Sequence, residues 1–171
     1  PHRFTFYNGD PAEYSNRLVG RTVLGAQGYG AFVDIFMDAD THLLIGDGTN
    51  MRYYTSAEKA PKKYQLMIVF EDDSFLAFTV SMYGSIYAFK GEFDNPYYQG
   101  SIHKLCPLDE RFDKTYFISL IGNLKKDISA KAFLATEQRI PGLGNGVCQD
   151  ILFNARISPK RKISTLSEED I

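Results

Sequence analysis

Pro141-Gly142-Leu143-Gly144-Asn145 is a glycine-rich turn that runs straight into an apolar helical pattern. Asn145 is a favourable N-cap, because its side-chain oxygen can accept a free backbone N–H of the first helical turn. The glycines let backbone come close to whatever sits in front of that helix end. A helix N-terminus with bare N–H groups is a natural holder of phosphate. The spacing predicts a helix from Gly146, with Val147, Ile151 and Ala155 on one stripe and Pro159 beyond its end. Upstream, Ser129 is the expected cap of a helix over residues 129–136. That helix carries Lys131, whose ammonium would reach the same anion as the turn amides. A Gly-x-Gly turn alone marks no more than a tight connection, so its flanks carry the argument.

Further upstream the helical period begins at Asp109, with Phe112, Tyr116, Phe117 and Leu120 at i, i+4, i+5 and i+8. Downstream, Ser167 with Glu168, Glu169 and Asp170 behind it reads as a fresh helix start at the end of the sequence. The expectation is therefore a fragment of a longer protein. Charge separates the two halves. Residues 1–101 carry 8 Lys/Arg against 12 Asp/Glu, and residues 102–171 carry 11 against 9. Between Lys131 and Lys162 the balance is 6 basic to 2 acidic. A local basic zone suits phosphate contacts from one module, although a solvated helical surface reads the same way. The overall net charge of −2 argues against nucleic-acid binding through the whole surface.

The first half reads as strands at 22–26, 31–37, 42–45, 64–70, 74–80 and 85–89. Glu71-Asp72-Asp73 is the turn of a hairpin. Asp10 followed by Pro11 starts a short helix running to Leu18. The aromatic content, 11 Tyr and 13 Phe without Trp, also favours β-structure. The expected class is α+β: an N-terminal antiparallel β-sandwich of six to eight strands over residues 1–104, then a helical domain over 105–171. Cys106 and Cys148 form no C-x-x-C pair, so no zinc site is readable. Two isolated thiols suit a reducing cytoplasm, and Cys148 reads as a small buried residue. No apolar run approaches the ~20 residues of a membrane span.

The stretch Asp150-x-Leu152-Phe153-x-Ala155-x-Ile157-x-Pro159-x-Arg161, with Lys131 and the turn before it and Leu166-Ser167-Glu168-Glu169 after it, resembles the helix–two-turn–helix of the formamidopyrimidine-DNA glycosylase and endonuclease VIII family. The resemblance covers about residues 112–171. It implies a base-excision repair protein that extrudes a damaged base, cleaves its glycosidic bond and nicks the abasic strand. It also implies that Lys131 and Asn145, with the amides of Gly144 and Gly146, grip phosphates flanking the damaged nucleotide. The expected partner is double-stranded DNA holding a damaged base or an abasic site. A monomer in a bacterial-type cytoplasm is expected.

The strand-rich part resembles the family's sandwich more faintly. Leu18-Val19-Gly20-Arg21-Thr22-Val23 suits the loop entering it. Ala31 stands where the resemblance places the central-strand lysine. Leu44-Ile45-Gly46-Asp47-Gly48-Thr49-Asn50-Met51 resembles the loop that usually reads His-Leu-Gly-Met, with only the central glycine kept, as Gly48, so Thr49 or Met51 would enter the duplex. Met82 and Tyr83 match the loop that fills the void left by the extruded base. An apolar and an aromatic side chain can wedge between bases, and packing inside the sandwich is the alternative.

The family's catalytic pair is an N-terminal proline amine that attacks the sugar C1′ and a glutamate that moves protons. Pro1 is followed by His2 and Arg3, and counting back from Leu18 places it inside the family's sequence, after the first long helix. Pro1 is therefore set aside as nucleophile, and no catalytic residue is expected in this chain. No metal ligands are expected either, since the family's zinc finger would lie beyond Ile171. Two rival readings stand beside the enzyme: a DNA-binding homologue without catalysis, and a protein- or ligand-binding module on a degenerate glycosylase fold.

Overall fold

The computed structural model describes residues 4–171, so Pro1, His2 and Arg3 lie outside the described residues. The chain divides into two compact units. The first takes residues 4–28 and Phe32–Phe93, and the second takes Tyr29–Ala31 and Asp94–Ile171.

The first unit is a β-sandwich. Strands β1 (Thr5–Phe6), β2 (Val23–Tyr29), β3 (Phe32–Met37), β4 (Thr41–Gly46) and β8 (Gly84–Lys90) form one sheet in the order β1-β8-β4-β3-β2. Strands β5 (Thr49–Tyr54), β6 (Leu66–Val69) and β7 (Phe75–Val80) form the other, in the order β5-β7-β6. Central strands are covered on both faces, which is why β4 reads as an unbroken Leu43-Leu44-Ile45 rather than an alternation. Ile35, Met37, Leu43, Ile45, Ile86 and Ala88 from one sheet meet Phe78, Leu66, Ile68 and Leu76 from the other. Tyr14, on the short helix α1 (Tyr14–Leu18), closes this core and donates its hydroxyl to the Ile86 carbonyl at 2.9 Å. Asp10 caps the 3-10 turn before α1 by accepting from the Ala12 amide, and Pro11 takes the first position.

Two strands differ from the expectation. The sequence predicts a loop where β5 forms. Thr-Asn-Met-Arg-Tyr-Tyr does not alternate, because β5 is a sheet-edge strand with most of its side chains exposed. Only its pairing with β7, from Thr49↔Val80 to Tyr54↔Phe75, defines it. β1 runs parallel to β8, whereas the expected sandwich is antiparallel throughout. Just two residues pair, and the Asn8 side chain then continues the ladder. Its Nδ2 donates to the Ala88 carbonyl, and its Oδ1 accepts from the Ala88 amide, both at 2.9 Å.

The second unit is helical: α2 (Pro96–His103), α3 (Lys114–Gly122), α4 (Ala130–Ala135) and α5 (Asn145–Asn154). Asn95, Asp113 and Ser129 cap the first three by accepting first-turn amides. The units part at Phe93/Asp94 rather than at Lys104, because α2 packs within the helical unit. Tyr98 meets Tyr29 edge-on, and Ser101 donates to Gln138 at 3.4 Å. Phe133, Leu134, Ile140, Cys148, Leu152, Ile157 and Ile163 form this unit's core, with Phe117, Leu120 and Ile121 of α3 against it. The segment after α5 returns to the start of α4. The amides of Ala130 and Lys131 donate to the carbonyls of Arg161 and Pro159, and the Ile163 amide donates to Ile128.

α5 is rotated by one residue from the expected stripe. Cys148 and Leu152 are buried, while Val147 is 57% and Ile151 41% exposed. Arg156 ends the helix in the left-handed region, with φ 55°. The amides of Arg156 and Ile157 donate back to Phe153 and Leu152, which closes the helix in a Schellman arrangement without glycine.

Candidate functional site

Gly144, Asn145 and Gly146 form the start of α5, and Lys131 lies on α4, which shares a core with α5. The N-cap of α5 is Gly144 and not Asn145. Gly144 holds the extended conformation, with φ −78° and ψ 165°, and its carbonyl accepts the first helical bond, from the Cys148 amide at 2.9 Å. Asn145 is already helical, so its side chain takes no part in a cap. The amides of Asn145, Gly146 and Val147 find no acceptor among the described residues, and all three residues are exposed. A Cβ built on Gly144 or Gly146 would meet nothing within 4 Å. The helix end therefore presents three free donors, an uncommitted side-chain amide and open space.

Lys131 supplies the charge. It is exposed, and no carboxylate pairs with it among the described residues. Its field reaches the first turn of α5: burial pushes the Cys148 thiol up, and the Lys131 ammonium opposes that rise. A cation beside the positive end of a helix dipole is unfavourable unless an anion sits between them, and a bound anion would relieve both.

The segment that enters α5 is tightly built. Gly30 lies against it in the left-handed region, with φ 58°, and a Cβ there would sit 2.9 Å from the Gly142 amide nitrogen. Gly142 is also left-handed, with φ 83°. Ala31, where the resemblance expects a lysine, thus follows a residue packed on the Pro141–Gly142 turn.

In the sandwich unit, the β4–β5 and β7–β8 loops lie backbone to backbone. A Cβ on Gly48 would fall 1.9 Å from the Tyr83 carbonyl oxygen, and one on Gly84 would fall 2.9 Å from the Gly48 carbonyl carbon. Thr49 is half-buried at the start of β5, and its hydroxyl donates to the Ser85 carbonyl at 3.2 Å. Met51 lies further along β5 and is 43% exposed. Met82 is 72% and Tyr83 57% exposed, so neither packs inside the sandwich. They share a shallow depression of about 660 Å³ with Phe4, Phe6 and Ser81. Nothing in the sequence marks Phe4 and Phe6 as exposed beside this loop, because an apolar alternation in a strand normally signals a buried face. Pro1, the one nucleophile weighed, lies outside the described residues. Among the described residues, no three His, Cys, Asp or Glu side chains are grouped to hold a metal ion, and no helix is long and apolar enough to cross a membrane.

No protein-family model matches the chain. Curated relatives do. The formamidopyrimidine-DNA glycosylase of Listeria monocytogenes serotype 4b is 30% identical over 169 residues, which cover 94% of this chain and 59% of that protein. The enzyme of the same name from Geobacillus kaustophilus is 28% identical, over 95% of this chain and 59% of its own length. Among solved structures, the Lactococcus lactis Fpg in complex with an abasic site containing DNA superposes with a TM-score of 0.74 at 22% identity, covering 93% of this chain and 59% of that one. MutM (Fpg) from Thermus thermophilus gives 0.70 at 23% identity, over 96% of this chain and 58% of that one. The similarity runs nearly the whole length of this chain, through the sandwich where the sequence resemblance is fainter as well as the helical module. The fold is that of these glycosylases. The chain spans about three-fifths of the length of the curated relatives it matches.

Proposed function

We propose that this chain is the sandwich and helix–two-turn–helix part of a DNA base-excision repair glycosylase, and that it binds duplex DNA at a damaged base or an abasic site. The observation that carries this reading is the α5 N-terminus, which presents three free amides and the unpaired Asn145 side chain, with an exposed Lys131 on α4, the helix that shares a core with α5. Such an arrangement holds a phosphate through donors and charge together. The curated relatives, all formamidopyrimidine-DNA glycosylases, support the assignment to base excision. The exposure of Met82 and Tyr83, with Thr49 and Met51 at the start of and along β5, supports a role for them in entering a base step.

In the whole protein, glycosidic cleavage followed by strand nicking at the abasic site is the proposed chemistry. A nucleophilic amine forms an imine at C1′, and a neighbouring acid–base group moves the protons. Within these 171 residues no Pro-Glu pair occurs, and Ala31 has no amine to offer. This chain alone is therefore proposed to bind and not to cleave. Ala31 also favours a second reading, a DNA-binding homologue without catalysis.

The test is binding to a duplex carrying a tetrahydrofuran abasic analogue across a salt series. Lys131→Ala should weaken binding for all flanking sequences and lower the salt slope by about one, as for one lost phosphate contact. Asn145→Ala should weaken binding while leaving the melting temperature unchanged, because Gly144 is the cap. Unchanged affinity in both folded variants sinks the phosphate role. Borohydride trapping on an abasic duplex separates the two readings: an adduct with the whole protein supports the enzyme, and none supports the non-catalytic homologue.

A further inference from the structure

The connection between α4 and α5 takes an unusual backbone path. Glu137 and Gln138 are both left-handed, with φ 57° and 45°, and neither is glycine. Two adjacent residues of this kind persist only where surrounding groups hold them. Here Lys104 is one of several groups that do so, beside the Arg139–Glu137 ion pair and the Ser101–Gln138 hydrogen bond. Lys104, at the end of α2, donates from Nζ to the carbonyls of Glu137 and Gln138, each at 3.0 Å. The last turn of α2 seats against the same residues: a Cβ on Gly100 would meet Gln138 Cβ at 3.4 Å and Lys104 Nζ at 3.5 Å. On the other side, the Arg139 guanidinium donates to the carbonyls of Ala132, Phe133 and Thr136 and closes the end of α4. Partial burial, and then the Arg139 charge, pull the Lys104 ammonium below the usual lysine range.

Six residues beyond Gln138 the chain reaches Gly144, the N-cap of α5. We propose that Lys104 is a positioning residue for the anion site: through the Glu137–Gln138 turn it sets the start of α5 relative to Lys131 on α4, without touching the phosphate itself. The proposal rests on the phosphate-binding reading above. It assigns α2, which carries none of the expected site residues, a part in the grip on DNA.

The test compares Lys104→Met, which keeps the stem and removes the donors, with Lys104→Arg, which retains donors. Amide resonances are read in the free chain, and affinity for the abasic-analogue duplex is read across a salt series. Lys104→Met should shift the amides of Glu137, Gln138 and Gly144–Gly146. It should weaken binding about tenfold, the scale of coupling between residues acting as one unit, with the salt slope unchanged. Lys104→Arg should restore most of the affinity. Combined with Asn145→Ala, Lys104→Met should cost less than the product of the two separate losses. A salt slope lowered by about one would make Lys104 a direct phosphate contact and overturn the proposal. Unmoved Gly144–Gly146 resonances, or losses that simply multiply, would overturn it too. The two possible failures separate cleanly. Unchanged affinity in Lys131→Ala and Asn145→Ala overturns the phosphate reading and this proposal with it. Loss in those variants with none in Lys104→Met overturns this proposal alone.

Discussion

Replacing Gly48 by alanine should be among the most damaging single-methyl changes in the sandwich unit. The residue has φ 82°, a conformation that costs an ordinary L residue about 1–2 kcal/mol. The added Cβ would also lie 1.9 Å from the Tyr83 carbonyl oxygen, well inside any allowed contact. That oxygen belongs to backbone and cannot rotate away, so the β4–β5 and β7–β8 loops must separate. Overpacking of this kind costs a further ~1–3 kcal/mol. The expected loss is about 2–5 kcal/mol, against a total stability of about 5–15 kcal/mol for a domain. For a unit of this size, each kcal/mol moves the melting temperature by about 4–8 °C, so a fall of about 10–30 °C is expected. Circular dichroism melts of Gly48→Ala and Gly46→Ala make the comparison. A Cβ on Gly46 also meets an atom at 1.9 Å, but that atom is the Ser85 hydroxyl oxygen, the far end of a side chain that can turn. Gly46→Ala should therefore lose less. A loss under about 1 kcal/mol in Gly48→Ala, or a larger one in Gly46→Ala, would refute the reasoning.

Gly146→Ala should stabilise the helical unit by up to about 1 kcal/mol, since alanine favours helix and the position is open. It should also weaken duplex binding by crowding the free amides, and stability and affinity rising together would count against the site. Asp109 pairs with Arg111 at 2.7 Å, and hydrogen bonds from that guanidinium bring its carboxyl down to about 2. The unfolded chain binds the proton more readily between about pH 4 and 2, so this pair's contribution to stability is present above that window and lost as pH falls through it. NMR titration should give a midpoint near 2 that returns toward 3.8 in Arg111→Ala, and an unmoved midpoint would discount the pair. With Ellman's reagent, Cys106 should react first and Cys148 only on unfolding, because Cys148 is fully buried and its thiol is pushed up. Equal native rates would contradict that burial.

Local chemistry was legible wherever a side chain and its own backbone decide the outcome. Asp10 with Pro11, Ser129, and the Glu71–Asp73 turn with its charged residues each read correctly from a few neighbouring positions. Asn95-Pro96 carries the same kind of signal and does start a helix, but the glycine and aromatic residues behind it supply no apolar period to confirm one. In α5, apolar residues at 147, 148, 151, 152 and 153 form two overlapping stripes, and only packing against Phe133 and Ile163 selects Cys148 and Leu152. Gly144 and Asn145 both suit an N-cap by type, so residue types alone leave the start of α5 open by one position. The residue types at the start of α5 and on α4 were readable. Lys104 was not, because its partners lie 33 and 34 positions away and are carbonyls, which every residue has.

The return of the chain from α5 to the start of α4 has a consequence for the order of assembly. α4 is six residues long, too short to persist alone, and two of its first amides are satisfied by carbonyls about thirty residues later. Closing a span of that length costs about 3 kcal/mol of chain entropy before any contact is made. During synthesis, then, Lys131 emerges from the ribosome long before its helix can hold it. Its geometry is set only once Pro159 to Ile163 have followed. Pulse-labelling hydrogen exchange on the refolding chain should find the amides of Ala130, Lys131 and Ile163 gaining protection in one step, and earlier protection of the first two would show that α4 forms without its distant partner.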